Sequence, residues 1–156
     1  MRPKLTDIRI DDLVVNLGRQ PRILIVDDEE AITNVLGIAF SIVGYDVATL
    51  QCTNSAGDHI MGVTGHYDAV VSDYNNKGAS GDYKGGMTLY QRLQENAALP
   101  PLYVVISGQE SLLIPQEVPF MLKPVDLYGL AHRVTSELRG RLGPAAGYAS
   151  QAPEAK

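Results

Sequence analysis

Four short apolar runs in the chain stop at polar residues. Ile23 to Val26 stops at Asp27 and Asp28, and the stretch YDAVVSDYN, Tyr67 to Asn75, closes on Asp73. Leu102 to Ile106 closes on Ser107, and Val118 to Leu122 on Lys123. Runs of this length rich in β-branched residues predict strands buried on both faces, as in a parallel sheet. Tyr45 to Leu50 alternates and predicts a further strand.

Helical periods lie between these runs. Ala31, Ile32, Val35, Leu36, Ala39, Ile42 and Val43 predict a helix from Glu30, with Gly44 supplying a left-handed C-cap. Asn54 or Ser55 can cap a second helix reaching Val63, in which Gly57 and Gly62 each cost about 1 kcal/mol relative to Ala. Met87, Leu89, Tyr90 and Leu93 give a third helix, Met87 to Asn96, its buried side. Asp126 caps a last helix with Leu127, Leu130, Ala131, Val134 and Leu138 on one face, ended by Gly140, Gly143 and Pro144.

In open parallel sheets with helical crossovers, ligands sit beyond the carboxyl ends of the strands, so the polar termini converge on one site. Two carboxylates about 4 Å apart repel by roughly 4 kcal/mol at an effective dielectric near 20. Three together therefore require a cation, and an all-oxygen donor set suits Mg²⁺. Asp73 is placed to act as a nucleophile toward phosphorus, with Asp27 and Asp28 holding the metal. Lys123 supplies a point charge, and Ser107 a hydrogen bond to a phosphoryl oxygen.

The order Asp27-Asp28, Asp73, Ser107, Lys123-Pro124 resembles the receiver domain of bacterial two-component response regulators, over residues 21 to 140. The resemblance implies a flavodoxin-like doubly wound α/β fold, a five-stranded parallel sheet in the order 2-1-3-4-5. It implies Mg²⁺-dependent transfer of a phosphoryl group to Asp73 from the phosphohistidine of a sensor histidine kinase or phosphotransfer protein, with later hydrolysis. The chain would then be a self-phosphorylating and self-dephosphorylating signalling protein rather than an enzyme. Signalling would pass to a downstream protein target or through onward phosphotransfer. The resemblance also makes the backbone carbonyl of Asn75 a metal ligand, Phe120 a switch aromatic and the Lys123-Pro124 bond cis. Phe120 reads equally well as a core phenylalanine.

Composition narrows the setting without changing this picture. With 156 residues, 45% apolar and 20% charged, the chain reads as one globular domain large enough for its own core. It has no apolar run of membrane-spanning length and no signal segment, which favours a cytoplasmic protein without membrane partners. A net charge of −5 without a basic cluster argues against nucleic acid. The single cysteine, Cys52, reads as a bystander, and His59, His66 and His132 as surface residues. A homodimer is left open.

Three regions depart from the resemblance. Residues 1 to 20 precede it; Asp7 to Gly18 predicts a short helix or an added strand, and the Asp11-Asp12 pair reads as solvated surface. Tyr74 to Gly86 is too rich in Gly, Asn, Ser and Asp for regular structure and about five residues longer than the family's connection, with Asp82 and Lys84 within reach of the site. It reads equally as a functional loop and as a tolerated insertion. Pro115 limits any fourth helix between Ser107 and Phe120 to a turn or two. Residues 141 to 156 read as a disordered tail with no room for an effector domain, which makes the chain a stand-alone regulator. The alternatives are a receiver-fold interaction module that works without phosphorylation and a small Mg²⁺-dependent phosphohydrolase.

Overall fold

The computed structural model describes residues 2–51, 67–74, 85–96, 100–108 and 114–143. After a 3-10 turn at Leu5–Asp7, the elements are α1 (Asp11–Leu17), β1 (Arg22–Val26), α2 (Glu30–Val43), β2 (Asp46–Leu50), β3 (Ala69–Asp73), α3 (Gly85–Asn96), β4 (Leu102–Ser107), β5 (Phe120–Leu122) and α4 (Leu127–Leu142). The five strands form one parallel sheet in the order β2-β1-β3-β4-β5. This is the α/β architecture expected from the strand and helix alternation.

Successive residues on β1, β3 and β4 enter different cores because side chains alternate across a strand. Ile23, Ile25, Ala69, Val71, Val104 and Ile106 pack with α1, α2 and α4. Leu24, Val26, Val70, Tyr103 and Val105 pack on the other face with Leu89 and Leu93 of α3. Burial on both faces explains why these strands read as continuous apolar runs.

Several elements differ from the expectation in detail, and α3 begins at Gly85, within the stretch Tyr74 to Gly86 expected to be irregular. The buried face of α2 is Thr33, Leu36, Ala39, Phe40 and Val43, whereas Val35 and Ile42 are about half exposed. Apolar residues surround this helix, so periodicity could not choose the inward side; packing against β2 and α4 did. β5 starts at Phe120 rather than Val118, because Pro119 has no N–H to donate and the Val118 N–H bonds the Pro115 carbonyl in a turn at 3.0 Å.

The N-terminal segment folds into the same core. Ile8, Ile10 and Leu13 are buried with α2 and α4 side chains, and a fully buried Leu contributes roughly 2 kcal/mol. Arg139 on α4 grips both carboxylate oxygens of Asp12, the longer contact at 3.0 Å, and donates to the Arg9 carbonyl at 2.8 Å. Asp12 is therefore not the solvated residue expected, although Asp11 is exposed and pairs with exposed Arg9. Arg139 holds the Asp12 carboxyl below its usual range. Gly44, with φ +121°, ends α2 where Ile10 crosses it: a Cβ there would lie 2.8 Å from Ile10 Cδ1.

α4 begins where Asp126 accepts the Gly129 N–H at 2.9 Å, the expected cap, and runs two residues past position 140. His132 is exposed and stacks on Tyr128. The second predicted helix, Cys52, His59, His66, Asn75, Asp82, Lys84 and the tail beyond residue 143 lie outside the described residues. Residues 114–119 contain no helix. Among the described residues no helix is long and apolar enough to cross a membrane.

Candidate functional site

β1, β3, β4 and β5 end side by side. The register sets Asp73 opposite Ile106 and Ser107 opposite Leu122, and the Lys123 N–H donates to the Ser107 carbonyl at 2.8 Å. Asp27 follows the last residue of β1 and ties back to β2 through its N–H on the Leu50 carbonyl at 3.2 Å. Backbone pairing thus brings together residues separated by up to 96 positions.

Asp27, Asp28 and Asp73 each present a carboxylate oxygen within 4.8 Å of the others. Lys123 Nζ lies 2.9 Å from Asp27 Oδ2, 3.3 Å from Asp73 Oδ1 and 3.9 Å from Glu29 Oε1. Asp27 is wholly buried, Asp73 nearly so, and Asp28 is exposed at the rim. The structure brings together Asp27, Asp28, Asp73 and Lys123, the four residues that sequence reasoning assigned to one site. Glu29 was missed; its signal is the acidic run Asp27 to Glu30, and its N–H donates to Asp27 Oδ1 at 2.9 Å.

One ammonium does not neutralise three carboxylates. Burial pushes the Asp27 pKa up to about 6, and Asp73 adds to that rise while the Glu29 N–H and Lys123 oppose it. Burial works against the charge on Lys123, yet Asp27 and Asp73 hold its pKa above the ordinary lysine value. The residual negative charge and the all-oxygen donor set fit Mg²⁺.

The remaining expected residues occupy neighbouring positions. Ser107 is fully buried at the end of β4. Phe120 opens β5 opposite Val105, half-buried against the α3-side core. The Lys123-Pro124 bond is cis. Behind Asp73, Gly86 packs on the backbone of Asp73 and Tyr74, a contact that the Gly-rich composition did not disclose.

No family model matches the sequence, and no curated protein matches it. Solved structures do. The receiver domain from the hybrid histidine kinase CckA is 29% identical with a TM-score of 0.61, covering 75% of this chain and 98% of that one. A CheY-like response regulator receiver domain protein from Methanospirillum hungatei JF-1 is 19% identical with a TM-score of 0.64, covering 78% of this chain and 96% of that one. The Francisella response regulator 1452 receiver domain is 21% identical with a TM-score of 0.63, covering 80% and 100%.

The chain has the fold of a response regulator receiver domain. That receiver fold supports a signalling role rather than a classical enzymatic one. It also accounts for the location of the acid cluster, at the carboxyl ends of the strands where this sheet topology binds ligands.

Proposed function

We propose that this receiver accepts a phosphoryl group on Asp73 from a phosphohistidine and so changes its affinity for another protein. The observation that carries the reading is the Lys123 ammonium lying between the Asp27 and Asp73 carboxylates, 2.9 Å and 3.3 Å away. A carboxylate oxygen of Asp73 attacks phosphorus as the P–N bond to the donor imidazole breaks, and the imidazole keeps that electron pair. Lys123 faces the charge that develops on the phosphoryl oxygens, and Ser107 is the hydrogen-bond donor from β4. Asp27, Asp28, Asp73 and the Asn75 carbonyl are the residues that would hold Mg²⁺, whose bound charge would neutralise the phosphoryl oxygens. Later attack of water on the acyl phosphate restores the carboxylate.

The donor would be a sensor histidine kinase or phosphotransfer protein. An apolar groove lined by Ala31, Ile32, Val35, Leu36, Pro124 and Val125 opens beside Lys123 and supports docking of such a protein next to the acceptor. Phe120, three residues before Lys123 on β5, is the residue through which phosphorylation would reach the outer surface.

Incubation with a small acyl phosphate and Mg²⁺ should add one phosphoryl group, detected by intact mass and lost in alkali. Asp73→Asn should abolish the gain and a chelator should suppress it. Label that persists in Asp73→Asn would disprove Asp73 as acceptor. A folded wild type that takes no label would favour an interaction module that works without phosphorylation.

A further inference from the structure

Phosphoryl transfer between preformed groups depends mainly on position, so what fixes the Asp73 backbone matters as much as the groups around its carboxylate. Three contacts on the α3 side bear on that backbone. The Ser72 hydroxyl donates to the Asp73 carbonyl oxygen at 3.2 Å. The Gly86 N–H donates to the Tyr74 carbonyl at 3.2 Å. A Cβ on Gly86 would collide with the Asp73 carbonyl oxygen and lie 2.9 Å from Tyr74 Cα, so the first turn of α3 rests directly on the acceptor's peptide group.

Tyr103 joins these contacts. Its ring is buried in the middle of β4, and its hydroxyl donates to the Gly86 carbonyl. Tyr90 of α3 lies against it with ring centroids 5.3 Å apart. A buried hydroxyl within an apolar run is costly to place unless its bond is made, and here its acceptor, the Gly86 carbonyl, belongs to the residue that packs on Asp73.

We propose that Tyr103 is a positioning residue for phosphoryl acceptance: through Gly86 it holds the Asp73–Tyr74 backbone in the geometry that the reaction needs. This rests on the reading of Asp73 as the acceptor. Tyr103 touches none of the reacting atoms, and its effect passes through the backbone alone. Phenylalanine keeps the ring and its packing but releases Gly86.

The test is beryllofluoride binding at saturating Mg²⁺, followed by ¹⁹F NMR of the bound species, for wild type, Tyr103→Phe, Ser72→Ala and Val134→Ala. Val134 is buried on the opposite face of the sheet and serves as a control for lost stability alone. Tyr103→Phe should stay folded, weaken binding by about tenfold and shift the bound ¹⁹F resonance, with Ser72→Ala showing a smaller change in the same direction. Wild-type affinity and resonance in Tyr103→Phe would overturn the positioning role and leave the acceptor reading intact. Equal weakening in Val134→Ala would also overturn it, because stability would then explain the loss. Absence of binding by wild type would overturn the acceptor reading and this inference together.

Discussion

The Lys123 ammonium donates to the Asp27 carboxylate across 2.9 Å, joining the loop after β5 to the end of β1. The bond spans the β3 and β4 termini that separate those two strands in the sheet. It leaves Asp27 only partly compensated, and the first two predictions follow from that imbalance.

Stability should depend on pH through Asp27. Its folded pKa, about 6, lies above the ordinary carboxylate value of 3.8, so between those values the folded state binds more protons than the unfolded. Stability from this group is therefore lost as pH rises from about 4 to 6 and stays lost above it, by up to about 3 kcal/mol. Lys123, whose pKa is also raised, acts in the same sense but far above this window, its stabilising contribution being lost as pH passes its raised value. In chelator, Asp27→Asn should gain on wild type in urea unfolding between pH 4 and pH 7. A gap that does not change with pH would refute the assignment.

Lys123→Met should cost about 2–4 kcal/mol at pH 7 without divalent cation, because buried Asp27 and Asp73 then lose the ammonium that faces both carboxylates. Mg²⁺ should recover more stability in the variant than in wild type. Urea midpoints measured with and without the metal would show it, and equal Mg²⁺ effects would contradict a shared cation site.

On α2, Phe40 is fully buried while Ile38 is 63% exposed. Phe40→Ala should cost about 3–5 kcal/mol and Ile38→Ala no more than about 0.5 kcal/mol. Thermal unfolding of the two variants decides the orientation of the helix, and comparable losses would mean that the inward face is wrongly placed.

The N-terminal segment should behave as part of the folded unit. Leu13→Ala should cost about 2–4 kcal/mol, and Arg139→Met, which frees the half-buried Asp12 carboxylate, about 1–2 kcal/mol. Both variants should lose protection of α4 amides in hydrogen exchange. Unchanged α4 protection would mean that α1 is dispensable for that helix.

Much of the fold was legible because strands buried on both faces leave apolar runs with sharp polar ends. Asp27, Asp73, Ser107 and Lys123 each close such a run, and their convergence follows once the runs are parallel neighbours. Where apolar residues surround an element the pattern weakens. The α2 stripe was rotated toward Val35 and Ile42 because that helix carries no charge after Glu30 to mark its outer side. Asp12 was read as solvated because its partner Arg139 lies 127 positions away.

The sequence by itself determined the α/β alternation, the strand ends and the chemical types gathered at them, since hydrophobic period and polar punctuation are local properties of the chain. Tertiary structure alone decided the 2.9 Å and 3.3 Å spacing of Lys123 from its two carboxylates, the inward face of α2, the clasp of Arg139 on Asp12 and the seat of Gly86 under Asp73. Each of those depends on distances between segments remote in the chain, which packing sets and no local pattern encodes.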